Sequence, residues 1–359
     1  LINLLESAQA EHLLLEWRPR VDQMWDYFTA IQKPSGFAPL NNDADLENIA
    51  QLARQHRRAQ KPPPPASSYF QQAGHVILRQ SDGEQAPLWA FFDIGPRGTD
   101  HQHEDFLHLS LSLGRSDILV DNGRYTYQPG PWRDYFKSAD SHNILLVDGR
   151  SSDRQPNTAG GPLPGCGYHS GDSIEAAWGS ARFSNISGGT TARWQRYTLK
   201  LPGRSLLVLD QLITFEPRNI EGFWHGSPSS DWHISGPHNV QIVQKRNAMQ
   251  LNHRNSAPNH TEITLIKGQI EPSVQGWHSP RFNNKQASPC LKYSTTIDRP
   301  TVMAWLFTPK DEGSRIDSIE QINQQINISI TRGGESSKIT ISLPSSKQAP
   351  QFFHQPFSD

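Results

Sequence analysis

The stretch WAFFDIGPRGTDHQHEDFLHLSL, Trp89–Leu111, decides how the chain is read. Apolar runs stand at both ends. Between them come Gly95, Pro96 and Gly98, then His101, His103, Glu104, Asp105 and His108 within eight positions. Two strands joined by such a loop would carry histidines and acids to the mouth of the second strand, where binding and catalytic groups are commonly placed. Side chains two apart in an extended segment share a face, so His101, His103 and Asp105 line one side. Two imidazoles at that spacing can address one metal ion; the plainer reading is that they cap a strand end and bond loop carbonyls. His108, alternating with the leucines, is expected to face solvent or a second sheet.

The same β texture extends outward. GHVILR, DILVDNG, HNILLVDG, RYTLKLPG, SLLVLDQLITF, TEITLIKG and KITISLP are short apolar runs bounded by Gly, Pro, Asn or Asp. From Tyr69 on no strong helical period is visible, and the tail HQPFSD is expected to be loose. Residues 1–60 differ. LLESAQAEHLLLEW, PRVDQMWDYFTAI and ADLENIAQLARQHRRAQ space their apolar residues as helices do, with KPSGFAPLNND (Lys33 to Asp43) as a loop. KPPPPASS, Lys61 to Ser68, cannot continue a helix and reads as a stiff linker. Two or three such helices form no core alone. They must pack on the β region or belong to a larger helical domain.

Composition narrows the function classes. Thirty-four Lys and Arg against 35 Asp and Glu give a net charge of -1, which offers no electrostatic case for nucleic acid or an anionic membrane. No apolar run is long enough to span a bilayer. Two distant cysteines, Cys166 and Cys290, make neither a CxxC zinc site nor a disulfide scaffold, whereas 15 histidines favour metal or acid–base chemistry. The nucleotide-binding glycine motifs, GxSxG and HExxH are absent. Gly95 followed by His101-Gln102-His103 opens like a cupin metal motif, but Leu107 and His108 stand where its glutamate belongs.

Other polar residues stand at strand ends. ILVDNGRYTY closes an apolar run with Asp121 and an Asn122-Gly123 turn, and SADSHNILLVDG sets His142 and Asn143 before another. Two histidines and a carboxylate form a common zinc set. Spacing alone does not bring them together: in a hairpin centred near Arg115, Asp121 faces about position 109. His225 and His233, beside Trp224 and Trp232, read as core packing before sugar stacking.

The order GHVILR, WAFFDIGPRGTDHQHEDFLHLSL, ILVDNGRYTY, WRDYFKSADSHNILLVDG resembles the C-terminal β-sandwich region of the heparinase II/III family of polysaccharide lyases. The strong match covers residues 69–150, with a weaker continuation over Arg193 to Leu212. Glu104 departs from a usually small residue, and Asn122 sits inside the Asp-x-Gly turn. The resemblance implies a mainly β fold: a large antiparallel β-sandwich (residues 66–359) preceded by the last helices of an incomplete (α/α) toroid and its linker (residues 1–65).

It further implies a structural Zn2+ on His103, Asp121 and His142. His101, Tyr125 and Tyr135 become candidate catalytic groups, and Tyr127, Arg133 and Asn143 candidate substrate contacts. Its bland counterpart for Arg133 is a surface ion pair with Asp134 or Asp140. The implied activity is cleavage of a uronic-acid polysaccharide by β-elimination, in the periplasm or outside the cell, with the chain alone inactive or nearly so because the family's base lies in the toroid. The competing reading is a non-catalytic carbohydrate-binding sandwich or degenerate lyase relative. Neither the polymer nor the oligomeric state can be read from the sequence.

Overall fold

The computed structural model describes residues 2–56, 58–59, 61–80, 83, 86–98, 101–155, 162–171, 174–186, 188–244, 247–257, 261–343 and 348–357. The architecture is mainly antiparallel β, as expected. Five strands, β1 (Ser68–Phe70), β2 (His75–Gln80), β3 (Leu88–Asp93), β4 (Leu109–Leu113) and β5 (Ser116–Leu119), pair in sequence order. β6 (Leu145–Val147) is the edge of a four-stranded sheet completed by Arg218–His225, Pro289–Ile297 and Glu262–Lys267. These two sheets pack on one face of a central eight-stranded sheet, whose middle strands are Leu206–Ile213 and Thr301–Pro309.

The central sheet is buried on both faces, and alternation shows why. Leu206 and Val208 join the first core with Phe92, Leu111 and Trp224, whereas Leu207 and Leu209 join a second core with Ile316, Ile328 and Ile339. The latter three belong to a C-terminal four-stranded sheet, Arg315–Ile322, Gln325–Arg332, Glu335–Ser342 and Gln351–Gln355. Its last strand includes His354 and Gln355, so the start of HQPFSD is paired rather than loose. Ser358 and Asp359 lie outside the described residues.

Three helices precede the sheets: α1 (Ile2–Ser7), α2 (Glu11–Ala30) and α3 (Ile49–Gln55). α2 runs through Pro19 unbroken, where two separate helical stretches were read. Asn48 caps α3 by accepting a hydrogen bond from Gln51 N at 2.9 Å. A fourth helix, α4 (Pro131–Lys137), was not expected; at seven residues it is too short to show a period.

α2 docks on the outer face of the five-stranded sheet through Tyr27, Phe28 and Ile31 against Ile77, Trp89 and Phe91. Arg79 of β2 fixes the end of α2: its Nη2 donates to Ala30 O at 2.7 Å and Gln32 O at 2.6 Å, both inside the protein. Lys33 adds an ion pair to Asp117 at 2.7 Å. The loop after α2 is thereby held against β5. Arg79→Met removes the donor to both carbonyls and leaves these buried acceptors unpaired, at a cost of about 2–4 kcal/mol. A lowered midpoint in chemical denaturation is expected; an unchanged one would mean that apolar packing alone holds α2.

Candidate functional site

Three segments converge: the loop at 41–45 after α2, the loop at 101–108 leading into β4, and the stretch from Asp121 through α4 to His142. Their centre is Asp43, whose side chain is about 5% exposed. His101 Nδ1 meets Asp43 Oδ2 at 2.7 Å and His103 Nε2 meets Oδ1 at 2.9 Å. Arg133 of α4 donates to both oxygens, at 2.8 and 3.0 Å. Burial alone would push the Asp43 carboxyl up, but hydrogen bonds from His103, Arg133 and His101 hold it well below the usual carboxylate range.

An ionised carboxylate only accepts, so the ring nitrogens facing Asp43 carry protons. This fixes opposite tautomers. His101 donates from Nδ1 and turns Nε2 outward, with its side chain 65% exposed. His103 donates from Nε2, and its buried Nδ1 is left without a partner.

A second cluster lies behind the first. His142 Nδ1 is 3.1 Å from Asp121 Oδ2, with both groups fully buried. Burial would lower the His142 imidazole, yet the Asp121 charge raises it above its ordinary value. Asp121, which burial would raise, is held well below the carboxylate range by His142. His142 Nε2 has no partner, nor has the buried Asp105 Oδ2, and the His103 and His142 rings are 5.3 Å apart. Burial pushes Asp105 up to about 6, against the favourable charges of His142 and His103. The Asp93 carboxyl, likewise buried, is also pushed up to about 6.

By distance alone the tightest metal-ligand group among the described residues is His108, Asp121 and His142. The proton inventory disfavours His108. Its Nδ1 accepts from Asn143 N–H at 3.1 Å, so Nε2 carries the proton, directed at Ser110 Oγ at 3.0 Å with Asp121 Oδ2 at 3.8 Å. Burial lowers the imidazole to about 3, so it stays neutral and braces Asp121. Its expected solvent position is corrected: it is buried inside the site, as are Ser110 and Ser112 on the same face of β4. The free lone pairs are on His103 and His142, each backed by a carboxylate on its other nitrogen, an arrangement typical of metal-bound histidine. Asp121 and Asp105 supply oxygens in the same surroundings.

The tyrosines separate. Tyr127, 46% exposed, packs edge-on against His101 at 5.7 Å, and its hydroxyl accepts from Arg124 Nη1 at 3.1 Å. Tyr125 turns to Lys285, whose Nζ donates to its hydroxyl at 2.9 Å. Tyr135 does not reach the cleft. Its ring is buried on the inner side of α4, its hydroxyl donates to Gln275 Oε1 at 3.0 Å, and burial raises it well above the usual phenol range.

Asn143 is also no substrate contact: it is wholly buried, donating to Leu109 O and Val120 O and accepting from His225 N–H. Arg133 spends its fork on Asp43 and positions the histidines, rather than pairing with Asp134 or Asp140 or projecting to a ligand. His225, Trp224 and Trp232 are core residues, as read, but His233 is exposed, because it alternates with Trp232 along its strand. Asp43 was missed, and nothing in the sequence marks it, because its partners lie 58 to 90 residues away. Beside the histidines, a cavity of about 520 Å³ takes in Asn42, Arg97, His103, Asp105 and Lys137.

With this geometry in view, the comparisons define a class. The family described as heparinase II/III-like, C-terminal, matches residues 62–328, and the chain belongs to it. Among solved structures the chain is similar to a heparinase III gene product (TM-score 0.73, 12% identity, 92% of this chain and 53% of that one). It is also similar to the heparan sulfate lyase HepC from Pedobacter heparinus (TM-score 0.73, 15% identity, 93% and 54%). The chain thus spans about half the length of these structures. No curated protein matches it significantly.

Histidine nitrogen NMR tests the proton assignment: in the metal-free protein His101 should show the Nδ1–H form and His103 the Nε2–H form. Asp43→Asn should abolish both signatures and cost about 3–5 kcal/mol, since Arg133 is then left without its counter-charge. Matching tautomers at the two histidines would overturn the Asp43 assignment.

Proposed function

We propose that this chain is the β-sandwich half of a polysaccharide lyase that cleaves a uronic-acid polymer by β-elimination. The observation that carries the reading is the Asp43–His101 pair at the exposed edge of the site, with the Tyr127 ring packed beside it. Elimination removes the C5 proton to a base, forms the C4–C5 double bond and breaks the C4–O bond; the departing oxygen takes a proton. No water is consumed.

Asp43 holds His101 in one tautomer and orientation, as a carboxylate does in a catalytic triad. Its outward Nε2 is then free to accept or return a proton at the sugar. Arg124 donates to the Tyr127 oxygen and so leaves the phenolic proton directed outward, suited to the leaving oxygen. Tyr125, beside Lys285, stays a candidate acid or substrate contact at the rim.

A structural zinc ion suits the donor set of His103, Asp121 and His142, with Asp105 as a neighbouring carboxylate and His108 bracing Asp121. Bound there, zinc would supply a cross-link between the 101–105 loop, the end of β5 and the segment entering β6. The unpartnered nitrogens of His103 and His142 support this assignment. We place the protein in the periplasm or outside the cell, with an acidic polysaccharide as its partner. No helix among the described residues is long and apolar enough to cross a membrane.

The full-length protein should raise ultraviolet absorbance on at least one uronate polysaccharide as the C4–C5 double bond forms, and His101→Ala should reduce kcat at least 100-fold with the fold intact. A flat trace on every polymer, from folded and metal-loaded protein, would favour a non-catalytic binding sandwich. Elemental analysis should find one zinc per chain. Chelation should lower the melting temperature, and His142→Ala should abolish that response; a chelator-insensitive melt with no metal would remove zinc from the account.

A further inference from the structure

The only two-stranded sheet among the described residues is a hairpin, Trp277–Arg281 with Asn284–Ala287, and its tip is Phe282-Asn283. Turn positions select Gly, Asn, Asp and Ser; a large aromatic there is unusual. Asn283 fits the rule, with φ of +55°. Phe282 does not, and it is 46% exposed.

The tip is nevertheless firmly placed. Phe282 N–H donates to Asp45 Oδ1 at 3.2 Å, and Asn283 N–H donates to Tyr125 O at 2.7 Å. At its base, Ser279 N–H donates to Asn122 O at 2.8 Å. The hairpin is therefore pinned to the 41–45 loop and to the segment that carries Tyr125 and Tyr127. Phe282 stacks against Tyr127 at 5.9 Å with planes 30° apart, and Tyr127 in turn touches His101. The Arg124 guanidinium lies over both rings, 5.0 Å from Tyr127 and 5.6 Å from Phe282. The guanidinium is itself held in place: Nη2 pairs with Asp45 Oδ1 at 3.1 Å and Nη1 donates to Asp43 O.

We propose that Phe282 is a sugar-stacking residue, binding the apolar face of a pyranose next along the chain from the sugar at His101. This rests on the lyase reading for the direction of the chain across the site. An aromatic ring half open to water gains by covering a C–H-rich sugar face. Rigid placement lets that binding proceed without ordering a loop. Phe282 lies away from the reacting atoms, so it contributes to binding and not to the chemical step.

The test uses the full-length protein, its Phe282→Ala and Phe282→Trp variants, and heparan sulfate and alginate as probes. Phe282→Ala should raise KM about tenfold on the cleaved polymer with kcat within about twofold, and Phe282→Trp should restore KM. Unchanged KM in Phe282→Ala would overturn the subsite and leave the lyase intact, as would a fall in kcat at constant KM. Should the wild type turn over neither polymer, equilibrium titration followed by tryptophan fluorescence decides. Wild-type binding weakened about tenfold in Phe282→Ala supports the stacking site and leaves the lyase reading to the wider polymer panel; no binding of either polymer by the wild type overturns the stacking site.

Discussion

The site hangs from one buried ion pair in the central sheet. Arg196 donates to both oxygens of Asp210, at 2.7 and 3.0 Å, with no exposure of either side chain. Its remaining nitrogen, Nη1, reaches out of the sheet to Leu107 O at 3.0 Å and to Asn143 O. Leu107 precedes His108, and Asn143 follows His142. A single guanidinium therefore joins two loops that are 36 residues apart and sets both against one rigid strand. The Trp194 and Trp224 rings flank it at 4.9 and 5.0 Å, and Trp194 Nε1 donates to Asp210 Oδ1. Such a pair adds little net stability compared with apolar packing, but losing one partner costs about 3–5 kcal/mol. Its value here is registration: without it the backbone around both histidine-bearing loops would have unpaired carbonyls inside the protein.

From that anchor outward, charge organises the site in two shells of similar design. Asp121 orients His142 and is braced by His108; Asp43 orients His101 and His103 and is braced by Arg133. In each shell a carboxylate holds an imidazole by one nitrogen so that its second nitrogen points where a ligand can use it. The inner shell faces the protein and suits a metal, which tolerates burial. The outer shell faces solvent at His101 and suits a polymer. The same chemical device would serve both of the proposed purposes, and exposure alone separates them.

How much of this was legible follows from the range of each interaction. The strands around Trp89–Leu111 could be read because alternation and turn residues act locally, and the HxH pair stands out for the same reason. The order of four such segments was enough to place the chain in its family. Asp43 could not be found this way, because its partners come from β3–β4 and α4. Arg133 was misplaced for the complementary reason: Asp134 and Asp140 are near in sequence, but the helical turn of α4 carries the guanidinium to the Asp43 side. Tyr135 and Asn143 look like site residues in a string of letters, and burial turns them into supports. His108 was misread because the face alternate to the leucines is also covered: Ser110 and Ser112 on that face of β4 are buried as well.

The hairpin tip extends the argument beyond the histidines. Natural hairpins blunt their tips with small polar residues, which carry no desolvation preference. A phenylalanine there leaves apolar surface in water unless something covers it, and the contacts on both sides of Phe282 prevent its turning away. The structure accordingly holds three rings, His101, Tyr127 and Phe282, in a row, with Arg124 over the latter two. Under the proposed lyase reading, an imidazole, a hydroxyl and an apolar face placed in that order would serve a chain of sugars. None of the three positions is dictated by the sandwich core. The fold supplies rigid places to stand, and the loops at one end of it supply the chemistry.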